Sequence, residues 1–423
     1  MQVFGKLNGL AYGLLGLPLA FVALPLYVIL PNYYAKEFGV PLAILGAILL
    51  GARLFDAFID PLLGRLSDHL FKRSAGAVLQ AGLVAAVVLA IGFALLFFPQ
   101  VTKPSALIVW VSVVLIVTYA AYSFLSVSHQ SWGAMLGGNE AERSRIVAWR
   151  EALGLVGVVT ASVTPVALGM SATTVVFFVA LGIGWLAWTR AVQPAAKQDL
   201  ALEPGSVWLP FRHSNFKRLL LVFMLNGTAS AVPATLVLFF IQDRLQAPSS
   251  MEPLFLGSYF LAAALSIPFW LAIVKRIGLA RSWLCGMALA IAVFGWATQI
   301  GTGQTTAFLI ICALSGIALG TDLALPGAML AGVIQSNGDS GKAEGAYFGW
   351  WNFAIKLNLA LAAGLSLPLL GVFGYAPGVR TAEAMSALVI AYCVLPCVLK
   401  LAAGSALYFS IIKPSFNPVG NPA

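Results

Sequence analysis

An all-α membrane protein, with twelve transmembrane helices in two six-helix halves, is the fold class predicted by three features of the 423-residue chain. Its composition is 60% hydrophobic and 9% charged, with a mean hydropathy of +0.93, whereas soluble domains carry about 25% charged residues. Apolar runs of roughly 18 to 27 residues follow one another, each long enough to cross a hydrocarbon core about 30 Å thick. The longest polar break, "AVQPAAKQDLALEPGSVWLPFRHSN" at 191–215, divides these runs six and six, the plan of a transporter with two related halves.

The first six runs fall at 8–33, 40–66, 76–98, 105–132, 149–169 and 173–190, and the second six at 216–241, 253–274, 282–300, 306–333, 344–372 and 384–411. The domains expected are an N-terminal half at 1–190, a cytoplasmic connector at 191–215 and a C-terminal half at 216–423. The runs are continuously apolar, which excludes a membrane barrel with its alternating faces. The run after Lys6 is too long for a cleaved signal and lacks a small-residue cleavage site, so the first span is expected to stay. Late in the connector, "VWLPFRHSNFKRL" mixes aromatics with cations and reads either as a segment along the membrane surface or as a plain loop.

Lys and Arg set the orientation. One set of loops carries most of them, including Arg65, Lys72, Arg73, Arg143, Arg145, Lys275 and Arg276. The opposite set has only Lys36, Lys103, Arg244 and Arg380. The richer set is cytoplasmic by the positive-inside rule, which places both termini inside; the membrane expected is the inner (plasma) membrane. The net charge of +9 is then topology, and a nucleic-acid partner is excluded because the cations are scattered over loops. The partners expected are the lipid bilayer and a small-molecule substrate, with the chain acting as a monomer. Cys285, Cys312, Cys393 and Cys397 lie inside spans without the acidic or histidine partners of a metal site. An enzyme is excluded: only His69, His129 and His213 occur, with no HExxH, GxSxG or P-loop pattern. No cofactor is expected beyond a coupling ion.

The span at 40–66 contains "ARLFDAFIDPLLGRL". Arg53, Asp56 and Asp60 fall at i, i+3 and i+7 and share one helix face. Lipid penalises a carboxylate, so this face should point into the bundle or a water-filled cavity. Pro61 favours a kink beside the charges. Two carboxylates about one turn apart cannot both stay ionised cheaply without a bound cation or an arginine, which is the behaviour a coupling site needs. A static cluster holding helices together is the structural alternative.

"GRLSDHLFKR", which places Gly64, Asp68, Lys72 and Arg73 at G-x-x-x-D-x-x-x-[KR]-R spacing, resembles the loop between spans two and three of the major facilitator superfamily. "ARLFDAFIDPLLGRLSD", "GAYFGWWNFAIKLNLALAAG" and "ERSRIVAWREALGLVG" resemble the glycoside-pentoside-hexuronide cation symporters, the family of the melibiose carriers. The resemblance implies the major facilitator fold, alternating access between two rocking halves, Asp56 and Asp60 as the cation-binding pair, and gating by Asp68 and Arg73. Sodium-using relatives add a polar side chain before the second aspartate and a hydroxyl from span four; those places hold Ile59 and Ala120 here, which favours a proton over sodium. The carboxylates that grip sugar hydroxyls in relatives are replaced by Ala20 and Ser123.

The remaining polar groups within spans are candidates for substrate contact and coupling. Span four carries the stripe Tyr119, Ser123, Ser126 and Gln130, and Arg150 and Glu151 open span five. The stripe reads equally as serines bonded to their own backbone. Lys356 lies deep in span eleven beside Asn352, Trp350 and Trp351, and Asp56, Asp60, Asp322 or an anionic ligand could neutralise it. Asp322 of span ten is a gate residue, the partner of Lys356, or a structural hydrogen-bonding group. Glu140, Glu142, Arg143 and Arg145 form a cytoplasmic gate or a solvated network. The function expected is cation-coupled symport of a glycoside or related small organic solute. The alternative cargo is an amphiphile such as a lysophospholipid, as in a related branch of carriers where a span-eleven lysine meets the headgroup.

Overall fold

The computed structural model describes residues 5–101, 103–194, 206–375 and 378–416, and every regular element among them is helical. Span one is α1 (Lys6–Gly13), α2 (Gly16–Leu24), a π-helical turn Pro25–Ile29, and α3 (Leu30–Phe38). Prolines 18, 25 and 31 remove successive backbone donors, which is why one apolar run becomes several pieces. α4 (Leu42–Arg73), α5 (Ala75–Phe97) and α6 (Pro104–Met135) are spans two to four. α7 (Glu140–Thr189) covers spans five and six and breaks at Gly169, whose φ of 80° leaves the helical region.

After the connector come α8 (Ser214–Phe239), ending in a π-helical stretch Phe240–Leu245, then α9 (Glu252–Ile277), α10 (Leu279–Ala297), α11 (Thr305–Ser336) and α12 (Glu344–Val372). The last span is α13 (Ala382–Val389), a π turn Ile390–Val394, α14 (Leu395–Leu407), a second π turn Tyr408–Ile412, and α15 (Lys413–Phe416). Ten segments among the described residues are long and apolar enough to cross a membrane. α4 and α12, of 32 and 29 residues, exceed the roughly 20 residues a crossing needs.

Two helices begin or end well outside their predicted spans. Span five, expected from 149, starts at Glu140. Asn139 accepts the Glu142 amide at 3.0 Å while the Glu142 carboxylate takes the Asn139 amide at 3.1 Å, a capping box strong enough to start a helix in a polar stretch. Arg150 and Glu151 therefore sit about three turns inside α7 rather than at its opening. Span two, expected to stop at 66, runs on through the basic turn to Arg73, where Lys72 and Arg73 favour a helix C-terminus.

The chain divides into two compact units, Met1–Arg212 with Ile334–Phe353, and His213–Val333 with Ala354–Ala423. In this division Ile334–Phe353 groups with the first unit. Residues 195–205 of the connector lie outside the described residues. In the first unit α2 packs on α7, and α4 and α5 pack on α6, around a core that includes Phe93, Phe97, Phe177, Trp132 and Trp188. Gly157 of α7 meets the backbone of Leu17, where any side chain would collide, the small-residue packing that lets membrane helices approach closely. In the second unit α8 and α10 pack on α14, and Phe240 stacks on Phe308 and Tyr392 in the core.

Candidate functional site

The face of α4 that carries the aspartates is turned inward. Asp56 is 1% exposed and Asp60 0%, while Leu54, Phe55, Phe58 and Leu62 on the other faces are open. An amphipathic helix with reversed polarity, carboxylates in and apolar groups out, is what a lipid solvent demands. Ser123 of α6 donates its hydroxyl to Asp56 Oδ1 at 2.6 Å. Arg53 is exposed and lays its guanidinium carbon 4.4 Å from the centre of the Tyr27 ring, and Tyr27 in turn lies 5.6 Å from the Tyr119 ring. Tyr122 is within electrostatic reach of Asp56, Asp60, Glu151 and Arg150. α3's preceding π turn, α4, α6 and α7 thus converge their polar groups on one buried region of the first unit.

Ser123, expected from sequence to contact substrate or take part in coupling, bonds a carboxylate of α4 through its hydroxyl. The rest of the span-four stripe divides. Tyr119 packs on Tyr27, and Gln130 donates to Ser126 at 3.2 Å. Back-bonding to the i−4 carbonyl does occur in α6, at Ser112 and Thr118 (2.7 and 2.6 Å), so the helix separates structural hydroxyls from site hydroxyls. Arg150 pairs with its neighbour Glu151 and lies beside Tyr12, whose hydroxyl donates to the His129 carbonyl at 3.0 Å.

Asp68 and Arg73, which the resemblance implied as gating residues, lie in the last turns of α4. Asp68, buried at 4% exposure, accepts the backbone amides of Gly345 (2.6 Å) and Ala346 (2.9 Å) at the start of α12. The orphan amides of a helix N-terminus attract a carboxylate through both hydrogen bonds and the helix dipole. Gly64 and Gly345 bring the two backbones together so closely that a Cβ on either would strike the other's carbonyl, and Gly349 lies on the Asp60 and Pro61 backbone. Arg73 is exposed at the last residue of α4. Arg143 donates to Gln335 (2.6 Å) and to the Gly138 carbonyl (3.0 Å). Trp350 of α12 donates to the Val207 carbonyl at 2.9 Å and packs on Trp208 and Phe211. The aromatic connector segment at 207–212, with a 3-10 turn at Leu209–Arg212, thus packs on Trp350 of α12 while Trp208 stays 61% exposed.

In the second unit Asp322 forms an ion pair with Lys400 at 3.1 Å. Asp322 also accepts from Asn226 (2.8 Å), Ser230 (3.0 Å) and Trp283 (2.8 Å), and Lys400 donates to Asn226 and Ser230 (2.8 and 3.0 Å). Asp322, read from sequence as a gate residue, the partner of Lys356 or a structural hydrogen-bonding group, pairs with Lys400, which holds the carboxylate between α8, α10, α11 and α14. Lys400 sits mid-run in "VLPCVLKLAAGSAL", the same signal that singled out Lys356, and sequence reasoning passed over it. A cavity of about 310 Å³ opens beside this pair. Phe255, Tyr259 and Phe294 wall it, and Ser230, Asp322 and Lys400 form its polar end. Lys356 is half-buried on the part of α12 that belongs to this unit, while Asn352, 6% exposed, lies on the part that belongs to the first. Among the described residues no group of three or more His, Cys, Asp or Glu side chains is arranged to hold a metal ion.

A polytopic helical bundle with buried carboxylates on one span and a carboxylate lock on a helix N-terminus defines a secondary transporter of the major facilitator type. The chain belongs to the MFS/sugar transport protein family, whose model matches residues 8–413. It is 25% identical to the uncharacterized symporter YjmB of Bacillus subtilis, over 85% of this chain and 82% of that protein. It is 23% identical to the putative glycoside/cation symporter YagG of Escherichia coli, over 96% and 91% of the two chains. Identity to the isoprimeverose transporter of Lactiplantibacillus pentosus is 25%, over 90% and 84%. Among solved structures, the E. coli fucose:proton symporter FucP superposes with a TM-score of 0.70 at 14% identity, covering 96% of this chain and 99% of that one. A bacterial homologue of ferroportin in an outward-facing state superposes with a TM-score of 0.70 at 16% identity, over 97% and 99%. These superpositions speak for the fold. The family assignment makes the chain a multi-pass membrane transporter of small molecules, not an enzyme.

Proposed function

We propose that the chain is a cation-coupled symporter of a glycoside or related small organic solute, with the proton as coupling ion, residing in the inner (plasma) membrane with both termini cytoplasmic and working as a monomer. The observation that carries this reading is the burial of Asp56 and Asp60 on α4, with Ser123 bonded to Asp56 and Arg53 stacked on Tyr27 one turn away. Carboxylates in such a place change charge with ion occupancy, and that change is the coupling step. The names of YagG and the isoprimeverose transporter support glycoside cargo. Ile59 and Ala120 offer no side-chain oxygen to a sodium ion, which favours the proton.

In the proposed cycle, ion binding at Asp56 and Asp60 alters their attraction to Arg53 and biases the alternation of access. Asp68 on the Gly345 and Ala346 amides is the gate contact that forms and releases. The amphiphile reading keeps one observation in its favour, the mainly aromatic and aliphatic walls of the cavity beside Asp322 and Lys400. The test is uptake in proteoliposomes of a panel of glycosides, hexuronates and lysophospholipids, driven separately by a proton gradient and by a sodium gradient. Accumulation of a glycoside under the proton gradient alone is expected. Accumulation only with sodium, or only of lysolipids, would overturn the coupling or the cargo assignment respectively.

A further inference from the structure

The start of α8 and the end of the last span form a second recess in the second unit, away from the ion pair. It is a groove of about 520 Å³ lined by Arg218 and Leu221 of α8 and by Ser405, Ala406, Phe409 and Ser410 of the last span. Its floor is made of small residues, Ser405 and Ala406, and its sides of open apolar ones: Leu221 is 56% exposed and Phe409 63%. Its rim is cationic. Arg218 is exposed and reaches the Ser410 carbonyl at only 3.4 Å, a long contact that leaves most of its five donors for another acceptor. Lys413, also exposed, holds its ammonium 5.8 Å from the Phe409 ring centre, and Lys217 is exposed on the same turn as Arg218. The π turn Tyr408–Ile412 widens the backbone here, a local distortion that π-bulges bring to functional positions.

Cations above an exposed apolar trough match the chemistry of one class of molecule, a phosphodiester headgroup on acyl chains. The end of a span lies at headgroup depth, and the cation-rich side of the chain is the one that faces anionic lipid. We propose that this groove is a binding site for an anionic phospholipid, with Arg218 and Lys413 holding the phosphate and Leu221, Ala406 and Phe409 lying along an acyl chain. Guanidinium binds phosphate through two parallel donors and ammonium as a point charge, so Arg218 supplies the geometry and Lys413 the added charge. The site is separate from the transport reading and does not depend on the cargo.

The test is titration of the full-length purified chain in detergent with dioleoyl phosphatidylglycerol and, in parallel, with dioleoyl phosphatidylcholine, counting retained lipids by native mass spectrometry. The wild-type chain is expected to hold phosphatidylglycerol in preference to phosphatidylcholine by about 5-fold for each rim cation. R218Q/K413Q is expected to lower the preference by about 5-fold for each cation removed, and K275Q/R276Q, which removes two exposed cations from the end of α9, to leave it intact. Equal loss in both double variants would reduce the effect to net charge and overturn the site, as would an undiminished preference in R218Q/K413Q. Should R218Q/K413Q fail to fold, K413Q alone carries the test: about a 5-fold loss is expected, and no loss overturns it.

Discussion

Lys400 Nζ lies 3.1 Å from Asp322 Oδ2; Lys400 donates further to Asn226 and Ser230, and Asp322 accepts from Asn226, Ser230 and Trp283. The Lys400 side chain is 5% exposed and that of Asp322 14%. Removing one partner from such a pair leaves an uncompensated buried charge, whereas removing both can be nearly neutral. K400M is therefore expected to destabilise the carrier by about 3–5 kcal/mol, and the double variant K400M/D322N to recover most of the loss. Thermal unfolding in detergent checks both. Equal destabilisation by the single and double variants would show that the pair is not coupled.

On α4 the same logic gives a functional outcome. D60N removes a buried carboxylate whose charge change is the proposed coupling step. Concentrative uptake should vanish while exchange of substrate across the membrane partly survives. Proteoliposome accumulation and counterflow measured side by side distinguish the two, and unchanged accumulation would sink the assignment.

The sequence made some of this arrangement legible and hid the rest. The i, i+3, i+7 spacing placed Arg53, Asp56 and Asp60 on one face because helical periodicity is local, and a lipid solvent turns the two carboxylates inward while Arg53 stays exposed. Helix boundaries at Glu140 and Arg73 were blurred because hydropathy ends where polarity begins, while the capping and charge that continue a helix lie beyond the apolar run. The bond from Ser123 to Asp56 joins residues 67 positions apart, and no local pattern announces it. Lys400 was visible by the same rule as Lys356 yet was eclipsed by the stronger resemblance around span eleven.

Ser123 supplies a third expectation. S123A deletes a 2.6 Å donor to a buried carboxylate, and hydrogen bonds to charged groups contribute about 1.5–3 kcal/mol. Proton-driven uptake should fall by roughly 10- to 150-fold if that energy is lost from the ion-binding step, while S123T keeps the hydroxyl and most of the rate. Initial uptake rates normalised to reconstituted protein decide it; a fully active S123A would confine Ser123 to helix packing.

The α4–α12 contact offers the most direct structural test. At Gly64 and Gly345 a Cβ on either residue meets the other's backbone carbonyl, and backbone cannot yield as a flexible side chain can. G64V should therefore prevent the close approach that carries the Asp68 bonds to the Gly345 and Ala346 amides. D68N should weaken those bonds while leaving the approach sterically possible, because an amide oxygen can still accept one of them without the charge. The expected ranking is loss of transport in G64V with normal membrane levels, and partial activity in D68N. Alkylation of a cysteine introduced at Ala346, 2% exposed in the closed contact, reports the contact independently of activity. Labelling should be fast in G64V, intermediate in D68N and slow otherwise, and slow labelling in G64V would show that the gate closes without the glycine pair.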